Sequence, residues 1–264
     1  MFHRGTHYVL LKGAVAGNYD ADAQAFFDAA GITDTTQKNA VNQLVLDLKS
    51  YSIWSKMSAV YPFVGGTAST HKWNLKDARD LDAAFRLVFT GSWTHNSNGV
   101  TGDGSTAYAD TKLAPSAVLG QDSKHLSAWA KSTLNNCLAG AWSSSQNFRD
   151  HLQHDGTIIT GNLSINGFFF GPTHTASTGL YSCARTSSTS EVVYRNGSSL
   201  LATNITSGAN PSTNYYLGAR NGSGTAEVFS NTNLAFASIG SGLTDAEMSN
   251  LYTAVNAFQT TLGR

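Results

Sequence analysis

The stretch EVVYRNGSSLL, Glu191 to Leu201, decides the fold. Two runs suited to strands flank Asn196-Gly197. A type I′ turn needs φ > 0 at both central residues, which Asn and Gly tolerate, so the pair marks a two-residue β-hairpin. Such a loop also sets register. Arg195 is expected opposite Ser198, Val193 opposite Leu200, and Val192 opposite Leu201. Similar runs surround the hairpin: GLYSCAR (179–185) before it, NYYLGAR (214–220) after it, and LAFASIG (234–240) further on. Short strands divided by polar turns indicate an all-β sandwich or barrel.

Working toward the N-terminus, strand candidates continue through FRLVF (85–89), HLSAWAK (125–131), CLAGAW (137–142) and GTIITGNLSINGFFFG (156–171). The turns between them are rich in Gly, Asn, Asp and Ser. No repeat of fixed period is present, which argues against a propeller or solenoid. Gly65-Gly66 marks a break, and before it the period changes. Asp22 is placed to cap a short helix that buries Phe26 and Phe27, runs through Ala30 and stops at Gly31. Thr33 or Asp34 caps a second helix with Ala40, Val41, Leu44, Val45 and Leu48 on one face. Ile53, Trp54, Met57, Val60 and Tyr61 repeat the helical spacing up to Pro62. The expected organisation is an arm over residues 1–20 with a short strand, HYVLL, a helical block over 21–62, and a sandwich over 63–264. At the other end, Thr244-Asp245-Ala246-Glu247 forms a capping box. Met248, Leu251, Tyr252, Val255, Phe258 and Leu262 then line one face of a helix expected to cover a sheet edge or an end of the sandwich.

The chain has 264 residues, enough to bury a large core. Charged residues make up 13%, well below the usual share of about 25%. Lys+Arg and Asp+Glu both count 17, so no net field favours nucleic acid or an anionic membrane. No apolar run is long enough for a membrane-spanning helix. The N-terminal apolar run is shorter than a signal h-region, and no standard export signal is expected. Cys137 and Cys183 fall in predicted strands and are expected as buried free thiols, as suits a reducing cytosol.

The C-terminal half resembles the laminin-G-like, concanavalin-type jelly-roll family. The resemblance rests on VVYRNGSSL, then NYYLGARNG, then FASIGSGLTDAEMSNLYTAVNAFQTTLGR. Versions of this order recur in virion proteins of tailed bacteriophages. The segment from Ala30 to Asp80 is similar to a helical lead-in found ahead of such sandwiches in phage tail and fibre proteins. The resemblance implies a concanavalin-like jelly roll and a non-enzymatic head-decoration, fibre or tail accessory protein, assembled in the bacterial cytoplasm and carried on the virion. Its implied partners are other virion proteins and copies of itself, with host surface glycans as a further possibility and no membrane insertion. A glycan-binding receptor-recognition module is the alternative, and a glycoside hydrolase the third.

Glycosidases of the laminarinase type on this fold carry Glu-x-Asp-x-x-Glu on one strand, supplying two carboxylates at the sugar bond. Only Glu191, Glu227 and Glu247 occur here, and none sits in such a motif. No Gly-x-Ser-x-Gly elbow and no P-loop is present. His151 and His154, flanked by Asp150 and Asp155, lack a third ligand in the pattern and are expected in a solvated turn. Asp103 and Asp110, in GDGSTAYAD (102–110), offer oxygens of the kind Ca²⁺ prefers but lack the spaced set of an EF-hand. An Asp-Gly turn accounts for them, and Ca²⁺, found in some laminin-G-like domains, is the one cofactor the resemblance leaves to test. Of five tryptophans, Trp54, Trp129 and Trp142 lie in apolar patterns and are expected in the core. Trp73 and Trp93 lie near polar loops, where an aromatic face can stack on a sugar ring.

Overall fold

A computed structural model of the chain describes residues 19–132, 135–143, 148–154, 157–166, 171–175 and 178–264. The HYVLL strand expected in the arm lies outside the described residues. Helix α1 (Ala21–Ala30) is capped by Asp20 rather than Asp22: the Asp20 carboxylate accepts from the Asp22 N–H at 3.0 Å. It ends at Gly31 in the left-handed conformation, φ 67°. Asp34 caps α2 (Thr35–Ser50) by accepting from the Gln37 N–H at 2.8 Å. The helical spacing then misleads. Met57–Tyr61 is a strand, β1, paired antiparallel with residues 237–240. Ser52, at φ 60°, breaks the helix ahead of it. Met57 and Val60 face the helices while Ala59 and Tyr61 face the second sheet, so both faces are apolar and no alternation shows.

The chain continues through α3 (Ala68–His71), β2 (Val88–Thr90), β3 (Trp93–Asn96), β4 (Gly99–Gly102), β5 (Tyr108–Asp110), α4 (Pro115–Val118), β6 (Lys124–Ala130), β7 (Asn136–Ser143), β8 (Phe148–His154) and β9 (Ile159–Asn166). It ends with β10 (Gly179–Arg185), β11 (Ser190–Arg195), β12 (Ser198–Asn204), β13 (Tyr216–Leu217), β14 (Arg220–Gly222), β15 (Thr225–Glu227), β16 (Asn233–Gly240) and α5 (Asp245–Thr261). The strand expected over residues 85–89 starts only at Val88, because Phe85 adopts φ 59°.

Two sheets face each other. The first runs β12-β11-β10-β6-β16-β4-β3, with β1 also on β16. The second runs β15-β14-β7-β13-β5-β2, with β8 on β7 and β9 on β8. The fold is a mainly-β jelly-roll sandwich. Leu126 and Ala128 of the first sheet meet Leu138, Leu152 and Leu163 of the second in one core. The opposite face of the first sheet, with Trp129, Leu180 and Phe236, packs on Phe26, Leu44, Leu251 and Phe258 of the helices in another. Helix α5 therefore lies across the face of the first sheet beside α2, not over an edge or end. Its capping box is formed: Thr244 Oγ1 accepts from the Glu247 N–H, and Glu247 Oε2 accepts from the Thr244 N–H at 3.0 Å.

The hairpin at Asn196-Gly197 is present, with φ 49° and 74° at the two central residues and Arg195 opposite Ser198. Beyond Tyr194 the register departs from expectation. An irregularity inserts one extra residue on β12, so Val193 faces Leu201 and Val192 faces Ala202. Leu200 packs against the inter-sheet core. His151 and His154 stand buried in β8, between β7 and β9, not in a solvated turn. Their polar neighbour Asp150 is accommodated because Lys124 meets it from the other sheet. Cys137 and Cys183 are buried and unbridged, and burial pushes the Cys137 thiol up to about 12.

Candidate functional site

The β3–β4 hairpin borders the first sheet. Its sequence, WTHN followed by Ser97-Asn98 and then GVTG, alternates side chains between two faces. Trp93 pairs with Gly102, Thr94 with Thr101, His95 with Val100, and Asn96 with Gly99. Asn96 Oδ1 accepts from the Asn98 N–H at 2.8 Å and holds the turn. Trp93 and His95 turn toward Phe89 of β2, with ring centroids at 5.4 and 4.7 Å. Thr94 and Asn96, on the other side of the strand, are exposed.

Trp93 is fixed from several directions. Its Nε1–H donates to the Thr90 carbonyl at 3.0 Å. Gly218, at φ 74°, lies against the indole; a Cβ there would stand 2.7 Å from the ring. His95 is held by His71, with the Nδ1 atoms 3.0 Å apart. The Gly66 N–H donates to His71 Nε2 at 3.1 Å, so His71 carries its proton on Nδ1 and donates it toward His95. Burial, reinforced by His95, drives His71 down to about 3 and keeps this arrangement neutral.

Beside the indole is a cleft of about 450 Å³ lined by Gly91, Ser92, Trp93, Thr94, Thr101, Gly102 and Asp103. Two residues singled out in the sequence, Trp93 and Asp103, thus share one cavity. Asp103 is committed to its own loop: Oδ1 accepts from the Ser105, Thr106 and Ala107 N–H groups at 2.8, 2.7 and 3.0 Å, and Oδ2 from the Thr106 hydroxyl. These bonds, the Thr106 hydroxyl foremost, hold its carboxyl well below the usual range. Asp110 does not line this cleft; it pairs with Lys112 at 3.0 Å and accepts from Asn214 Nδ2 at 3.1 Å. Among the described residues no group of three or more His, Cys, Asp or Glu side chains is placed to hold a metal.

Trp73 is elsewhere. It packs against the core beneath the helices, donates to the Ser69 carbonyl at 2.9 Å, and has Lys72 Nζ 4.7 Å from its ring centre. Trp54 and Trp129 are buried as expected. Trp142 is only partly buried, with the guanidinium groups of Arg149 and Arg220 at 5.8 and 6.0 Å from its ring.

The sequence reading missed the polar face of the hairpin. Thr101 pairs with Asn233 of β16, and Asn233 Nδ2 donates to Thr101 Oγ1 at 2.8 Å. Next to it lies a second cleft of about 230 Å³, lined by Asn96, Asn98, Lys131 and Asn233. The alternation in WTHN signals the outward Thr94 and Asn96. Nothing local signals Asn233, which is 132 residues from Thr101.

No protein-family model and no curated sequence matches this chain. Solved structures do. Domain 4 of AbnA, an extracellular arabinanase from Geobacillus stearothermophilus solved with arabinotriose, superposes with a TM-score of 0.50 at 15% identity, covering 74% of this chain and 98% of that one. A Trypanosoma rangeli sialidase mutant displaying trans-sialidase activity gives 0.53 at 10% identity, over 83% of this chain and 39% of the sialidase. A structure of botulinum neurotoxin type C, whose cell entry depends on interaction with two ganglioside molecules, gives 0.52 at 8% identity, over 78% of this chain and 53% of that one. At such low identities the likeness is one of fold: this chain shares the β-sandwich architecture of these proteins.

Proposed function

We propose that this chain is a non-enzymatic recognition module that binds a glycan in the cleft beside Trp93 and is displayed on the virion of a tailed phage. The observation that carries the binding step is the cleft itself, which the rigidly held, half-buried Trp93 lines together with Ser92, Thr94 and Thr101. An aromatic wall with convergent, uncharged polar groups suits a sugar, whose ring presents C–H groups on its face and hydroxyls at its rim. The saccharide ligands named for the arabinanase domain and the neurotoxin support a sugar over other small polar ligands.

The non-enzymatic part rests on the carboxylates. Glycosidic hydrolysis uses a carboxyl pair, one member of which is able to give up a proton. Asp103, the one acid lining this cleft, is held ionised by four hydrogen bonds. Glu191, which burial pushes up to about 8, is 2% exposed, bonded to Arg185 and not among the residues lining the cleft; Glu227 pairs with Arg220 and Glu247 with Lys56. The virion setting is supported by the sequence resemblance alone.

The test is a glycan array followed by calorimetric titration of the best ligand. Trp93→Ala should weaken binding at least ~10-fold, about 1.4 kcal/mol. Trp73→Ala should leave it unchanged. Equal affinity in wild type and Trp93→Ala would refute the cleft. Release of reducing ends from a polysaccharide panel, lost on changing one Asp or Glu, would refute the non-enzymatic reading. Absence of the chain from purified particles of the phage that encodes it would refute the virion setting.

A further inference from the structure

The second cleft differs in chemistry from the first. Asn96 Oδ1 is taken by the Asn98 N–H at 2.8 Å, and Asn98 Oδ1 by Lys131 Nζ at 2.8 Å. These bonds orient both amides, so the NH₂ donors of Asn96 and Asn98 and the Lys131 ammonium are left over, beside one buried acceptor without a hydrogen-bond partner among the described residues, Asn233 Oδ1. Lys131 has no carboxylate partner among the described residues. Arg264 flanks the same turn. Its guanidinium donates to the carbonyls of Ser97, Phe63 and Pro62 at 3.1, 3.0 and 2.9 Å, all uncharged acceptors. Desolvation and then Arg264 push Lys131 below its ordinary range, which an anion would reverse. In a chain with equal numbers of acidic and basic residues, this is a local positive field over a pocket that offers donors.

The two clefts adjoin at one bonded pair of residues. Thr101 lines the first, Asn233 lines the second, and they are bonded to each other. Thr94 and Asn96 lie two residues apart on one strand face, roughly 6–7 Å, a distance suited to neighbouring units of one ligand.

We propose that the β3–β4 groove takes an acidic oligosaccharide, with a sugar against Trp93 and an anionic substituent of its neighbour bound by Lys131, Asn96 and Asn98. The inference rests on the glycan reading of the Trp93 cleft and adds the ligand's charge and extent.

Calorimetry tests it with three probes: a uronic-acid oligosaccharide, its carboxyl-reduced neutral counterpart, and a sulfated oligosaccharide of similar length. The acidic probe should bind at least ~10-fold tighter than the neutral one at low ionic strength, and the gap should shrink with added salt. Lys131→Met should abolish the gap between acidic and neutral probes, while Lys131→Arg should retain it. Trp93→Ala should weaken both probes. If the sulfated probe matches the uronic acid, the pocket reads charge; if it binds like the neutral probe, the amides read the planar carboxylate. Equal binding of acidic and neutral probes, both lost in Trp93→Ala, overturns the anionic subsite and keeps the glycan cleft. Failure of every probe to bind overturns both.

Discussion

Lys124 Nζ lies 2.9 and 2.8 Å from the two carboxylate oxygens of Asp150, with both side chains fully buried between the sheets. Lys124 belongs to β6 in one sheet and Asp150 to β8 in the other, so the pair bolts the sandwich through its middle. The remaining valences are filled. Lys124 also donates to Ser164 and Asn210, and Asp150 also accepts from the Tyr215 hydroxyl and the Ser164 N–H. Removing one partner of such a pair leaves an uncompensated charge and costs about 3–5 kcal/mol, whereas replacing both with apolar groups of similar size is often neutral. Lys124→Met and Asp150→Leu should each fall in that range in urea unfolding, and the double variant should recover most of the loss. Additive losses would show that the two groups are not coupled.

The Asn196-Gly197 turn is pressed against α5. A Cβ on Gly197 would stand 2.9 Å from both the Ser249 Cα and the Tyr252 Cβ. Gly197→Val therefore combines strain at φ > 0, about 1–3 kcal/mol, with a clash into the helix. Ser198→Val, at an exposed neighbour, should cost little. Thermal melts compare the two, and equal melting temperatures would contradict the packing described.

That turn was legible in the sequence because a two-residue loop is a local decision, as are the caps at Asp34, Thr244 and Gly31. The Lys124–Asp150 pair was not, since 26 residues separate its members and neither sits in a local motif. Strand β1 was misread for a related reason. Cores on both sides of the first sheet erase the period of two, and an apolar run then fits helical spacing as well as strand spacing. Of the site, Trp93 stood out by type and surroundings. Thr101, Asn233 and Lys131 gain their meaning only from pairing across β3, β4, β16 and the end of β6.

Three buried histidines give the fold an acid sensitivity. Burial pushes His125 down to about 4, and His71 and His151 to about 3, from 6.5. Each binds fewer protons when folded than when unfolded between these values and 6.5. Their contribution is thus whole above pH 6.5 and declines as pH falls toward the folded values. Glu191, pushed up to about 8 by burial, works with the opposite sign between 4.5 and 8. A difference measurement separates them. His125 lies between the Ser241 carbonyl and the Ser238 hydroxyl, at 2.7 and 3.2 Å, contacts a glutamine amide can partly replace. His125→Gln should reduce the pH slope of unfolding free energy between pH 6 and 5 by about 1.4 kcal/mol per unit. An unchanged slope would show that His125 is not held neutral.

The helices and the sandwich share a core, and this bears on whether residues 21–62 unfold independently. Leu44 of α2 is 1% exposed and packs in the cluster that also holds Trp129 and Phe236 of the first sheet and Leu251 and Phe258 of α5. Its truncation removes contacts from three layers at once. Leu44→Ala should cost about 2–5 kcal/mol. Because β1 continues from the helices directly into the sheet, the loss should lower the midpoint of one transition and not split it. Circular dichroism in the far ultraviolet follows the helices, and tryptophan fluorescence follows chiefly the sheet. Coincident curves for the two probes, both displaced by Leu44→Ala, are the expected result. A helical signal that melts first, with fluorescence unmoved, would show that the helical block is a separate folding unit resting on the sandwich.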